Sequence, residues 1–399
     1  MVNPRAVAAR DQAAIAGIGM TEFSRDSGRS VLALATEAAR AAIADAGLSV
    51  ADIDGIVRCD MDQVTQSALA ASLNLPEVTF WADTGPGGAA PAMMLQVAAA
   101  AVISGQAKAV LCFRSLNGRS EGRLGQGVPG TVRPEVGGRN TYDEFFLPHG
   151  MITAGQHFAM IMDAHSRRFG TTAEHLGAIA LTCRAAANRT PHAQMQARSL
   201  SMEDYLASRM IAAPLRLFDF CLETDGACAV IVTTTEVAKD LAQPLVTIRA
   251  ASGGRPRVLN PGMMFPALMR TEPWDIGGAQ AARELYSRAG LGPSEIDVAQ
   301  IYDCFTISAL LQLEAFGFCG IGEGGPFAAS GALGPDGSLP MNTAGGNMSE
   351  GYIHGMNHVL EAVRQMRGQS ANQVRGAQTA LVTSGPFPFG AGAILRGYL

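Results

Sequence analysis

No block of lysine and arginine runs through the 399 residues: 30 basic against 35 acidic groups leave a formal charge of −5. Nucleic-acid binding needs clustered cations to neutralise phosphates, so that class is set aside. A membrane-length apolar run is also missing. The longest apolar stretch, Ala89 to Ile103, is rich in alanine and falls short of the roughly 20 residues a bilayer requires. The first ten residues hold no apolar signal core, which leads us to expect a cytoplasmic protein. Seven cysteines, at 59, 112, 183, 221, 228, 304 and 319, include no C-x-x-C pair, which argues against both a disulfide framework and a zinc knuckle. Charged residues are only 16% of the chain and apolar ones 48%. That is too apolar for a disordered scaffold and enough for one large core or two ordinary ones. What is abundant is glycine, 46 residues, with 20 prolines, gathered where short strands would turn into helices. A layered α/β protein with many tight connections is expected.

The chain opens with an apolar segment, Ala13 to Met20, then Ser30 and a helical stripe of Val31, Leu34, Ala38, Ala41 and Ala42 that Gly47 ends. A strand over Ile53 to Val57 follows. Much later Ala279 to Ala289 reads as a helix, Gly290 ends it, and Ile296 to Ile301 reads as a strand. Ala46-Gly47-Leu48 with Asp52-Ile53-Asp54 parallels Ala289-Gly290-Leu291 with Glu295-Ile296-Asp297 at a constant separation of 243 positions. A second correspondence sets the glycine-led helix from about Gly88 to Ser104, before a strand Ala109 to Phe113, against the one from about Gly351 to Met366, before Thr379 to Thr383. Two related α/β halves follow. Residues 1–115 with 215–242 make the N-terminal half and 243–399 the C-terminal half. Between them, 116–214 is an excursion holding Gly118, Gly122, Gly125, Gly127, Gly130, Gly137 and Gly138, then helix-like segments at 157–169 and 173–187. Excursions of this size carry specificity, because loops on a rigid scaffold build sites. This one shows no strong core of its own.

In order along the chain stand Ala16-Gly17-Ile18-Gly19-Met20-Thr21, Arg168-Phe169-Gly170-Thr171-Thr172-Ala173-Glu174-His175, Thr224-Asp225-Gly226-Ala227, Tyr302-Asp303-Cys304-Phe305 and Asn342-Thr343-Ala344-Gly345-Gly346. With these segments the sequence resembles the thiolase superfamily, in the branch of sterol carrier protein X thiolases and bacterial thiolase-like lipid-transfer proteins. The resemblance implies a thiolase fold: two βαβαβαββ halves in a five-layered αβαβα sandwich, with 116–214 as an inserted loop domain.

Thiolases attack with a cysteine at a helix N-terminus, where backbone N–H groups and the helix dipole lower the thiol pKa. Here that stretch reads Asp83-Thr84-Gly85-Pro86-Gly87-Gly88-Ala89-Ala90, and the nucleophile position falls on or near Ala89. The family's activating histidine, in Gly-His-Pro, aligns with Tyr352, and the second cysteine falls near Ser384 and Gly385. Claisen chemistry through an acyl-enzyme lacks its parts. Instead Tyr302 stands beside Asp303, where the family carries Asn-Glu or His-Asp. This pairing, in Tyr-Asp-Cys-Phe and Ser-Glu-Gly-Tyr, resembles the thiolase-like aldolases that remove the last side-chain fragment from sterol-derived acyl-CoA thioesters.

A tertiary β-hydroxyl has no hydrogen to lose as hydride, so oxidation and thiolysis are both blocked, and retro-aldol cleavage is the route left. It needs a base, a proton donor for the enolate and an oxyanion site, but no nucleophile. The expected catalytic residues are Tyr302, polarised by Asp303, and Tyr352; His354, Asn347 and the backbone N–H groups around Gly345 and Gly346 are candidates for the thioester oxygen. No cofactor is expected, since CoA belongs to the substrate, and no metal: His354 and His358 have an i, i+4 spacing but lack the zincin glutamate. Considered alone, both tyrosines read as packed aromatics, Cys304 as a small buried hydrophobe, and the methionines, including Met93-Met94 and Met263-Met264, as core rather than sterol-cavity lining. The resemblance further implies a small OB-fold partner protein and a homodimer core, hence an α2β2 heterotetramer. Two other functions stay open: a thiolase-like acyltransferase with an unusual nucleophile, and a non-catalytic lipid or acyl-CoA carrier.

Overall fold

Alternation along the strands decides the layering. The computed structural model describes residues 4–85, 87–121, 123, 147–255, 272–385 and 389–398. Its strands are β1 (Ala13–Met20), β2 (Gly55–Cys59), β3 (Phe80–Thr84), β4 (Ala109–Asn117), β5 (Met210–Ala212), β6 (Leu215–Arg216), β7 (Asp225–Thr234), β8 (Val246–Gly254), β9 (Val298–Gln300), β10 (Thr379–Ser384) and β11 (Gly390–Gly397). Nine form one sheet in the order β3-β2-β4-β7-β1-β8-β11-β10-β9, and β5 with β6 makes a separate hairpin. Successive side chains point to opposite faces. Val110 and Cys112 of β4 and Cys228, Val230 and Val232 of β7 therefore enter one buried cluster, while Leu111, Phe113, Ala227, Ala229 and Ile231 enter another. In the C-terminal half Ala380 and Val382 of β10 join that first cluster, and Leu381 faces a third.

The shared cluster lies between the two half-sheets. It is filled by the helices Ala90–Ile103 and Met356–Met366, each of which touches strands of both halves. Outside, the helix Val31–Asp45 covers β1, β4 and β7, and the helix Gly278–Ala289 covers β8 and β11. The five expected αβαβα layers are present. One detail differs: the half-sheets are joined, because β1 and β8 pair antiparallel at Ala13 with Ile248 and Ala14 with Thr247.

The duplication reaches single hydrogen bonds. The Asp54 carboxylate accepts from the backbone N–H groups of Lys108 at 2.9 Å and Ala109 at 3.0 Å. Asp297, its counterpart, accepts from Gln378 at 2.9 Å and Thr379 at 2.8 Å. By the same correspondence Cys59, closing β2, matches Tyr302, just past β9, and Asp60 matches Asp303.

The excursion shares a core with the C-terminal half. Phe158 and Ile161 of the helix Ala154–Phe169 and Leu176, Ile179 and Cys183 of the helix Ala173–Ala187 pack with Ile307, Leu310 and Leu311 of the helix Thr306–Ala315. The buried His165 joins the two units, with Thr171 Oγ1 at 2.9 Å on one side and the Glu314 carboxylate at 3.4 Å on the other. Gly122, Gly125, Gly127, Gly130, Gly137, Gly138 and the pair Met263-Met264 lie outside the described residues. Among those described, no helix is long and apolar enough to cross a membrane.

Candidate active site

Tyr302 is held by its backbone. Its N–H donates to Thr383 Oγ1 at 2.9 Å, that hydroxyl donates to Gln312 Oε1 at 2.6 Å, and Gln312 Nε2 donates to the Tyr302 carbonyl at 2.6 Å. Tyr352 is anchored from the other half of the chain, its N–H donating to Thr224 Oγ1 at 2.8 Å. The two phenol oxygens meet at 3.0 Å. Only 2% of Tyr302 and 8% of Tyr352 is exposed. Burial pushes both hydroxyls well above the ordinary phenol value; the Arg114 charge pulls Tyr352 the other way without prevailing.

Asp303 corrects an expectation. Its carboxylate accepts from the backbone N–H groups of Asn347 at 2.8 Å and Met348 at 3.3 Å, lies 3.1 Å from His358 Nε2, and accepts from the Cys183 thiol at 3.6 Å. It anchors the segment leading to Tyr352 instead of polarising the Tyr302 hydroxyl. Gly346 lets it approach: at φ 61, a methyl group there would fall 2.3 Å from Asp303 Oδ2.

Ala89, where the resemblance led us to expect the nucleophile position, lies next to the tyrosine pair. Ala89, 2% exposed, leads into the helix Ala90–Ile103. A methyl group on Gly88 would fall 2.4 Å from the Tyr302 hydroxyl oxygen, and one on Gly385 would fall 2.7 Å from the Ala89 nitrogen. Ser384 Oγ accepts from the Ala92 N–H at 3.1 Å. Ala89 and the Ser384–Gly385 segment therefore lie against each other, with the Tyr302 phenol close to Gly88 beside them. Burial raises the Cys59 thiol to about 11 and Cys304 to about 12, and Cys183 and Cys221 well above their ordinary value, the direction opposite to that of an activated nucleophile.

His354 stands at φ 55, with its ring edge-on to Tyr352 at 5.4 Å between centroids and its Nδ1 3.3 Å from Arg114 Nε. Burial, then the Arg114 charge, holds it well below the ordinary histidine value, so the ring is neutral. The Asn347 side chain is fully buried, and neither its Oδ1 nor its Nδ2 has a hydrogen-bond partner among the described residues. Such an amide suits a bound polar atom. The Gly345 N–H does not, since it donates to the Asn342 carbonyl at 2.7 Å. That corrects its expected part in an oxyanion site. Gly346 keeps a steric part, as the cradle for Asp303.

Sequence reasoning missed Arg114, 4% exposed, whose Nη1 donates to Asp62 Oδ2 at 3.0 Å. Its one local signal was a charge closing the apolar run Val110-Leu111-Cys112-Phe113. Among the described residues no group of three His, Cys, Asp or Glu side chains is arranged to hold a metal ion.

The thiolase C-terminal domain-like family matches residues 268–391. Over 376 residues, 94% of this chain and 96% of the relative, the sequence is 42% identical to the 17-hydroxy-3-oxo-4-pregnene-20-carboxyl-CoA lyase of Mycobacterium tuberculosis. It is 41% identical to the steroid side-chain-cleaving aldolase of Thermomonospora curvata over 374 residues, 94% of this chain and 95% of that one. A solved structure of the Ltp2-ChsH2(DUF35) aldolase superposes with a TM-score of 0.89 at 40% identity, covering 98% of each chain. With such identity over nearly its whole length, the chain belongs to the thiolase superfamily, in the branch of the steroid side-chain-cleaving aldolases.

Proposed function

We propose that this chain is a carbon–carbon lyase that cleaves a β-hydroxyacyl-CoA thioester by a retro-aldol reaction. The substrate is a steroid-CoA with a tertiary side-chain alcohol, and the products are a 17-ketosteroid and propionyl-CoA, as in sterol side-chain degradation. The observation that carries this reading is the contact between the Tyr302 and Tyr352 hydroxyls at 3.0 Å, beside the Gly88–Ala89 segment that the resemblance aligns with a thiolase nucleophile.

The chemistry explains why two phenols suffice. In the cleavage one O–H bond and one Cα–Cβ bond break, a ketone C=O forms, and the electron pair of the broken C–C bond becomes the thioester enolate, which takes a proton at Cα. The net change is one proton moved from oxygen to carbon. Two phenols in contact perform it as a relay. The first takes the substrate hydroxyl proton while passing its own to the second, and the second gives its proton to the enolate. Neither has to persist as phenolate, which matters because burial disfavours that form in both. His354 and Asn347 are the proposed donors to the thioester oxygen as negative charge builds there. The reaction is redox-neutral and CoA is part of the substrate, so no cofactor enters.

The same proposal includes a small OB-fold partner, on a homodimer core giving an α2β2 assembly. A DUF35 component in the matched aldolase structure supports a partner. A cytoplasmic setting fits the free thiols of the cysteines.

The test is mass spectrometry of products from a tertiary β-hydroxy steroid acyl-CoA, incubated without free CoA, with and without the candidate partner. A ketone together with propionyl-CoA is expected. Cleavage only when free CoA is added would mean a thiolase-like transferase, and binding without turnover would mean a carrier.

A further inference from the structure

Arg114 lies towards the C-terminal end of β4. Its Nη1 donates to Asp62 Oδ2 at 3.0 Å and to the Ser115 carbonyl at 2.8 Å. Asp62 is fixed in turn by the backbone N–H groups of Ser115 at 2.7 Å and Val64 at 2.9 Å. The guanidinium is therefore braced from behind, and its Nε–H is presented to His354 Nδ1 at 3.3 Å.

A guanidinium holds only donors. The imidazole nitrogen facing it must offer a lone pair, which leaves Nε2 as the one nitrogen able to carry the ring proton. That edge of the ring lies against the loop leading to Ala89: a methyl group on Gly87 would lie 3.3 Å from His354 Cε1 and 3.6 Å from Nε2. A second ring proton is opposed both by burial and by the Arg114 charge.

We infer that Arg114 is a positioning residue: it locks His354 as the neutral Nε2–H tautomer and so makes that ring a dedicated hydrogen-bond donor to the thioester oxygen. The identity of the acceptor rests on the aldolase reading; the tautomer rests on the geometry alone. Arg114 acts through the ring. Its charge also reaches Tyr352, so the test has to separate the two routes.

Two measurements do so. The first is the ring 15N spectrum of the histidine-labelled full-length protein, with His354 assigned by comparison with His354→Gln. A protonated Nε2 and an unprotonated Nδ1, unchanged across neutral pH, are expected; a proton on Nδ1 overturns the inference. The second is a kinetic cycle with the neutral pair Arg114→Gln and Asp62→Asn, which leaves no carboxylate stranded in the interior. The pair should lower kcat by about 100-fold, the scale for losing one oxyanion donor, with KM little changed, and should cost little more in a His354→Leu background. A kcat at the wild-type level, or an equal loss with and without His354, overturns it. Where the paired variant does not fold, the 15N result on the wild-type protein decides. Wild-type protein that cleaves nothing but keeps the Nε2–H tautomer would sink the aldolase reading and leave the Arg114–His354 lock standing.

Discussion

The hydroxyl oxygens of Tyr302 and Tyr352 lie 3.0 Å apart although the residues are 50 positions apart in the chain, each tied down by a hydrogen bond from its own N–H to a buried threonine. Groups that hand one proton along a relay act as a unit, and the losses on removing them do not add. Tyr302→Phe and Tyr352→Phe should each lower kcat by about 10³-fold or more, and the double variant should be no slower than the worse single one. Single-turnover release of the short acyl-CoA measures this. Additive losses would mean that the two phenols work independently, and near-wild-type rates would remove them from the mechanism.

The pH profile follows from the directions of three shifts. Tyr302 and Tyr352 are acids whose pKa is raised, so they stay protonated through the neutral range and ionise only well above the ordinary phenol value. His354 is a base whose pKa is lowered, so it stays neutral as the pH falls through the ordinary histidine range. With saturating substrate, kcat should be flat from about pH 6 to about pH 9. An acid limb near the ordinary histidine value would show that a titrating imidazole, not a phenol relay, limits the rate.

How far this arrangement was legible in the sequence depends on the reach of each signal. The duplication was readable because Asp54 and Asp297 do the same local work, each tying the start of a neighbouring strand, and local work leaves a repeated pattern. The tyrosines were readable only through family positions, since buried aromatics carry no periodic mark of their own. The part of Asp303 was misread from adjacency. Adjacency in sequence does not fix where a side chain is aimed: the Asp303 carboxylate is turned towards the Asn347 N–H and His358, while the Tyr302 hydroxyl meets Tyr352. Arg114 meets His354 across 240 positions, a contact that no local spacing encodes.

Gly88 tests the space that the tyrosine occupies. A methyl group there would sit 2.4 Å from the Tyr302 hydroxyl and 2.6 Å from the carbon bearing it, closer than nonbonded atoms approach. The ring cannot retreat freely, because Tyr302 is held at its N–H by Thr383 and at its carbonyl by Gln312. Gly88→Ala should push the phenol out of register with Tyr352 and lower kcat by about 100-fold, the scale for a displacement of about 1 Å at a reacting group. A melting temperature close to wild type together with that loss would locate the damage at the pair. Unchanged kcat would mean that the Tyr302 hydroxyl does not need the position it has here.

The cysteines separate a lyase from a thiolase most cheaply. A nucleophilic thiol needs a lowered pKa, and the shifts here run upward: Cys59 to about 11, Cys304 and Cys319 to about 12, with Cys112, Cys183, Cys221 and Cys228 also raised, in every case chiefly by burial. At pH 7.5 the thiolate fraction is therefore below the few per cent of an ordinary cysteine. Cleavage activity should survive incubation with iodoacetamide at that pH, and intact-mass spectrometry should find no acyl adduct during turnover. Rapid inactivation with a single carbamidomethyl group, traced to Cys221 or Cys304 and prevented by substrate, would instead assign a nucleophile and bring the acyltransferase reading back.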